Sequence, residues 1–130
     1  MTDYTVRAAP LRHIPSILGS LGCDSRLPIE SVGLSTGFFD YTENQIPYDV
    51  AARLIDSSAK VSDHESFGLS LGQRFSLMEL GLVGRVAHSS ASVKTALYDM
   101  IEAFHLHDSG GIITLDNSAR LMSLGYRSIL

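Results

Sequence analysis

A single cysteine, Cys23, cannot close a disulfide within the chain, which fits a reducing compartment and reads as a small half-buried side chain. Long apolar runs are missing as well. None approaches the roughly 20 residues of a membrane-spanning helix, and the opening MTDYTVRAAP has no apolar signal core, so a cytoplasmic location and no membrane partner are expected. Positive charge is scarce and scattered: 10 Lys plus Arg against 14 Asp plus Glu give a formal net charge of -4. A nucleic-acid face clusters its basic residues against several phosphates, so these residues alone are not expected to hold DNA. Low-complexity tracts are absent too. What remains, 130 residues with 45% hydrophobic and 18% charged content, 11 Gly and 4 Pro, suits one globular domain with its own core.

Signatures of catalysis are equally thin. The chain has no Walker A pattern, G-x-G-x-x-G, C-x-x-C or H-E-x-x-H. G-x-S-x-G occurs twice, as GLSTG at Gly33 to Gly37 and GLSLG at Gly68 to Gly72. A nucleophile elbow needs an apolar strand before its serine and a parallel sheet that supplies an acid and a histidine. SDHESF before Ser70 is no strand, and IESV before Ser35 is only slightly better, so both motifs read as glycines that permit bends or close helix packing. S-x-x-K at Ser57 to Lys60 lacks its S-D-N and K-T-G companions and reads as a helix position. In HLHD, His105, His107 and Asp108 are acceptable metal ligands, and an H-x-H pair on a strand would point both rings one way. No second ligand pair stands at a matching distance, and His88 would have to come from another helix. No metal or cofactor is therefore expected.

Periodicity gives the architecture. Leu11, Ile14, Leu18 and Leu21 form one helical stripe that Gly22 can end, with Pro15 in the first turn and a start near Ile14. Residues 23–45 read as a long connection with at most one brief helix. Pro47 fits a first helical position, before Val50, Ala51, Leu54, Ile55 and Ser58 on one face. Ser62 with Glu65 and Ser76 with Glu79 have capping-box spacing. The first would open a helix carrying Phe67, Leu71 and Phe75, and the second one carrying Leu80, Val83 and Val86 or Ala87. Val93, Ala96, Leu97, Met100, Ile101 and Phe104 form the cleanest amphipathic stripe. DSGG at Asp108 to Gly111 and DNS at Asp116 to Ser118 are turns around a β-branched IITL, and ARLMSLGYRSIL reads as the returning strand. The expected fold is α+β, about five helices over 11–107 followed by an antiparallel hairpin in 112–130. A lone hairpin is marginal, so this sheet is expected to need strands from elsewhere, as in a truncated domain.

The ordered spacing of these segments resembles a known family. IP at Ile46 and Pro47 opens a helix, an Asp-containing loop leads to FGLSLG at Phe67 to Gly72, and Gly81, Gly84, Ser90, Ala96 and Leu97 lead into a helix and a first strand. This order is similar to that of the N-terminal effector domain of AraC-type transcription regulators, in the branch labelled arabinose-binding-like, from about Leu11 to the end. The resemblance implies a sensory and dimerising domain of residues 1–130 that binds a small intracellular effector, with DNA reached only through a helix-turn-helix domain absent from this chain. It does not imply sugar binding and carries over no ligand residue. Polar groups beside the apolar stripes, Arg85, His88, Tyr98, His105 and His107, are the candidate effector contacts. A stand-alone helical binding or adaptor protein is the alternative, with a serine hydrolase or metal enzyme behind it.

Overall fold

Apolar residues spaced by three and four build most of the chain, seen here in a computed structural model that describes residues 4–41, 43–118 and 120–129. The α-helices are α1 (Ile14–Ser20), α2 (Arg26–Ser31), α3 (Tyr48–Ser62), α4 (Phe67–Gln73), α5 (Leu82–His88) and α6 (Val93–Ala103). Strands β1 (Thr5–Arg7) and β2 (Gln45–Pro47) pair antiparallel near the start, and β3 (Gly111–Asp116) with β4 (Ser123–Ser128) forms the C-terminal hairpin. The fold is α+β, helices followed by a hairpin in which Ile113 faces Tyr126 across the register.

The core follows the stripes. Ile14, Ile17 and Leu18 of α1, Ile29 of α2, Leu54 of α3 and Phe67 and Leu71 of α4 converge in one buried cluster. Burying one such side chain completely stabilises by roughly 1.5–3 kcal/mol. Helix α3 buries Ala51, Leu54 and Ser58, the face its sequence marks out, and its exposed side carries the ion pairs Arg53–Asp49 and Lys60–Asp56. The Ser58 hydroxyl, fully buried, donates to the Leu54 carbonyl at 2.8 Å, so no polar atom there is left open.

Several boundaries differ from expectation, each for a local reason. Pro47 caps α3 in an extended conformation and ends β2, so the helix proper begins at Tyr48. Two short helical pieces, α2 and a 3-10 turn over Thr36–Asp40, occupy the connection where at most one was expected. Ser62 forms no capping box with Glu65. Its hydroxyl instead donates back to the Ser58 and Ala59 carbonyls inside α3, which ends at left-handed Asp63. Helix α4 accordingly starts later, at Phe67, and Phe75 lies beyond it. The Ser76–Glu79 box does form, but it caps a 3-10 turn over Leu77–Leu80, because Gly81 at φ 68° and ψ -129° breaks the chain direction before α5. Helix α6 buries none of its stripe fully; Val93 is 78% exposed and Ala96, Leu97, Met100 and Ile101 are half-buried.

As expected, no further strand among the described residues joins the hairpin, which stays a two-stranded sheet; what the chain supplies is a tie between its base and the N-terminal segment. Val6 of β1 bridges Asp108 antiparallel, Arg7 N–H donates to the His107 carbonyl at 3.0 Å, and Ser109 N–H donates to the Thr5 carbonyl at 2.9 Å. Ile129 N–H donates to the Gly110 carbonyl at 2.9 Å, so β1 and the hairpin meet on the segment 107–110. Sequence reasoning passed over β1 and β2 because three-residue strands carry too little alternation to stand out.

Replacing Phe67, which is fully buried, with alanine is expected to lower stability by about 3–5 kcal/mol, whereas Leu69→Ala, at a site 68% exposed on the same helix, should cost less than about 1 kcal/mol. Urea unfolding of the two variants measures the contrast.

Candidate functional site

Three clefts share Arg7, the smallest, about 190 Å³, running to Gln45, Leu80, Leu82 and Leu106; the two larger ones carry most of the polar groups. The first, about 420 Å³, is lined by Arg7, Arg12, Glu43, Ser76, Glu79, Gly81 and Arg85 among others. Its charges are largely spoken for. Arg7 Nη2 pairs with Glu43 Oε1 at 2.9 Å, and Arg12 Nη2 and His13 Nε2 both reach Glu79 Oε1, at 2.8 and 2.7 Å. Burial alone would push the Glu79 carboxyl up, but the hydrogen bonds from His13 and Arg12 outweigh it and hold that group below its ordinary value. Gly81 leaves room for the Arg7 guanidinium, since a Cβ there would collide with it. This cluster is a latch that ties the N-terminal segment to the turn before α5.

The second cleft, about 300 Å³, is mostly hydrocarbon. Val6, Pro10 and Leu11 from the N-terminal segment face Ala51, Ala52 and Ile55 of α3, and Tyr48, His107, Asp108 and Tyr126 close one end. Tyr48 Oη lies 2.6 Å from Tyr126 Oη, and the Tyr126 hydroxyl donates to Asp108 Oδ2 at 2.9 Å. Asp108 Oδ1 accepts from Gly110 N–H at 2.8 Å. Burial raises the Asp108 carboxyl despite these donors, and burial with the bonds to Tyr48 and Asp108 raises the Tyr126 phenol, which stays a neutral donor. Gly110 and Gly111 are required by contact: a Cβ on either would strike the ring of Tyr48 or of Tyr126. The DSGG motif, read from sequence as a turn, thus also seats two tyrosines.

His107 stands apart in this group. It is 7% exposed, packs against Phe104 with ring centroids 5.7 Å apart, and its Nδ1 is the buried side-chain polar atom without a hydrogen-bond partner among the described residues. Burial, reinforced by the Arg7 charge, lowers its pKa to about 4, so the imidazole is neutral at physiological pH. An apolar cavity with a few converging polar groups is the usual form of a small-molecule site.

The five residues singled out from sequence do not meet in one place. His107 lines the apolar cleft and Arg85 the charged one. His88, the last residue of α5, and His105, in a 3-10 turn over Phe104–Leu106, are exposed and line neither cleft. Tyr98 on α6 is exposed and its hydroxyl accepts from Asn117 Nδ2 at 3.3 Å, linking α6 to the hairpin turn. His105 and His107 are not on a strand, so the H-x-H geometry does not arise. Among the described residues no group of three or more His, Cys, Asp or Glu could hold a metal ion. Sequence reading missed Tyr48, Asp108 as a hydrogen-bond acceptor, and Tyr126; adjacent glycines opposite tyrosines carry no signal until the register is known.

Neither elbow motif sits on a strand. Ser35 precedes the 3-10 turn at Thr36 and is exposed, while Ser70 lies on α4 with its Oγ 3.0 Å from His64 Nε2. No carboxylate is bonded to His64 among the described residues, so this pair lacks the third member that orients a triad. Ser57 shares a contact of 3.3 Å with Ser31, away from Lys60, which pairs with Asp56.

A model of the family described as the N-terminal arabinose-binding domain of AraC transcription regulators matches residues 22–128. No helix-turn-helix domain is detected within the 130 residues. Comparison with curated proteins gives no match. No helix of the described residues is long and apolar enough to cross a membrane.

The buried imidazole makes stability depend on pH. Unfolded His107 takes up a proton near pH 6.5 and folded His107 only near 4, so stability from this group is full above 6.5 and falls as pH drops through that window. Between pH 7 and pH 5 the wild type should lose about 2 kcal/mol relative to His107→Phe, which has nothing to protonate there. Parallel urea titrations at the two pH values give the difference; equal losses would contradict it.

Proposed function

The chain belongs to the family of N-terminal arabinose-binding domains of AraC transcription regulators, and on that premise we propose that the apolar cleft between β1, α3 and the hairpin is the effector site of a ligand-sensing regulatory domain. The observation that carries the proposal is the convergence of His107, Asp108, Tyr48 and Tyr126 at one end of a hydrocarbon-walled cavity. The charged cleft is the weaker candidate, since Arg7, Arg12, Glu43 and Glu79 already satisfy one another.

Cleft geometry also supports a way of signalling. Its walls come from three places in the chain: the N-terminal segment, α3, and the stretch from His107 to Tyr126. An effector touching all three favours the arrangement in which they close on it, and only such a difference in affinity between arrangements shifts a population. In the regulator we propose, that shift passes through the hairpin and α6 to DNA-binding helices carried outside these 130 residues, and the domain acts in the cytoplasm as a homodimer. The half-covered stripe of α6, with Val93 exposed and Ala96, Leu97, Met100 and Ile101 half-buried, is consistent with a second copy packing there. In this scheme His107 is the effector contact, Arg85 belongs to the latch, and Tyr98 couples α6 to the hairpin.

Screening a metabolite library by thermal shift tests the assignment. An effector present at about a hundredfold over its Kd stabilises by about 2.7 kcal/mol, a shift of several degrees. Ala52 is exposed and lines the cleft, so Ala52→Phe should fill the cavity, keep the fold and abolish the shift. A hit that stabilises wild type and Ala52→Phe equally would place the effector elsewhere.

A further inference from the structure

We infer that the charged cleft is a second binding site, which takes a small dicarboxylate: one carboxylate replaces the Glu43 side chain on Arg7, and the other is drawn by Arg85. This cleft is distinct from the proposed effector site, and neither assignment depends on the other. Pairing within it is unequal. The Arg7 side chain is only 10% exposed, yet its Nη2 points at the carboxylate of Glu43, which is 86% exposed. Glu43 spends one oxygen on one guanidinium nitrogen, at 2.9 Å, while Nη1 reaches only the Glu79 carbonyl at the long distance of 3.5 Å. So exposed a partner is held weakly, because ordering a long side chain in water offsets most of the attraction. A ligand acid can take its place. Glu79 is not exchangeable in the same way: it is 10% exposed and binds Arg12, His13 and the Ser76 N–H together.

Arg85, the second cation, lines the same cleft from α5, where it is exposed and has no side-chain partner among the described residues. With Glu43 turned out to solvent, Arg7, Arg12 and Arg85 face Glu79 alone, an excess of two positive charges in a chain whose formal net charge is -4. A dicarboxylate cancels that excess. A monocarboxylate leaves half of it, and a cation adds to it. Guanidinium groups hold carboxylates through paired N–H bonds, so a ligand acid can use the donors that Glu43 leaves idle. The exposed Ser76 hydroxyl accepts from Met78 N–H, and its own proton is uncommitted among the described residues, which adds a neutral donor on the lining. The cleft, about 420 Å³, has room for the roughly nine non-hydrogen atoms of glutarate at about 30 Å³ each.

Glutarate, butyrate, butylammonium and inorganic phosphate separate these chemistries when each is titrated into the whole chain at low and equal ionic strength while the amide NMR signals of Glu43, Gly81 and Arg85 are followed. Glutarate is expected to move these signals saturably and at the lowest concentration, butylammonium not at all. Glu43→Gln removes the competing carboxylate and should tighten glutarate about two- to fivefold, whereas Glu102→Gln, which removes the same charge from an exposed position on α6, should leave it unchanged. Arg85→Gln should weaken it about two- to fivefold. Glutarate affinity equal in wild type and Glu43→Gln, or raised as much by Glu102→Gln, would overturn the exchange on Arg7. Unchanged binding in Arg85→Gln, or butyrate as tight as glutarate, would overturn the second acidic contact. Phosphate binding more tightly than glutarate would overturn the carboxylate class, and glutarate moving the signals of Val6 and Ala51 in place of these would overturn the site. If no probe moves the Glu43, Gly81 and Arg85 signals, the inference fails outright.

Discussion

Strand β1 is held by hydrogen bonds to a segment 104 positions away: Thr5 N–H donates to Ser109 Oγ at 2.8 Å, and the backbones of Thr5, Arg7, His107 and Ser109 exchange the bonds that make the Val6–Asp108 bridge. Each bond contributes only about 1 kcal/mol net, but closing a loop of this length costs little more than closing a shorter one, because the entropy grows with the logarithm of length. The bridge sets where every wall of the cleft stands. It brings Val6 and Leu11 opposite α3, holds His107 under them, and ties the base of the two-stranded hairpin to the N-terminal segment.

Arg7 is where this constraint meets the charged latch. Its backbone is fixed to His107 while its guanidinium runs the other way, to Glu43 and the Glu79 carbonyl, in the space left by Gly81. The same residue therefore lines the charged and the apolar cleft alike, and its charge adds to the burial that depresses the His107 pKa. Glu79 completes the device from its side: one carboxylate closes the capping box with Ser76 and accepts from Arg12 and His13. A shift of the N-terminal segment would disturb latch and cleft together.

Much of the helical part was legible because burial leaves a period of three to four: Ile14 and Leu18, Ala51 and Leu54, Leu80 and Val83 are buried as their spacing predicts. The hairpin was legible from β-branched Ile112 and Ile113 between two turns. What spacing could not show was the choice between equivalent local bonds. Ser62 had two uses for one hydroxyl, and the carbonyls of its own helix took it. The site was hidden for a different reason. His107 was visible as a polar group beside an apolar stripe, but Tyr48 and Tyr126 are 78 positions apart and meet only through the bridge. Long-range backbone pairing by three-residue strands has no sequence period, so the residues it brings together cannot be read in advance.

As a member of the AraC arabinose-binding family the chain is a ligand-sensing regulatory domain, and the effector site we propose lies at the junction of its first strand and its hairpin. Amide hydrogen exchange with and without a bound effector addresses that junction directly. The account predicts that the Arg7, Ser109 and Ile129 amides, which carry the bridge and the hairpin bond, slow together when the effector binds. Unchanged exchange at those three amides, with slowing confined to Glu79 and its neighbours in the latch, would contradict it.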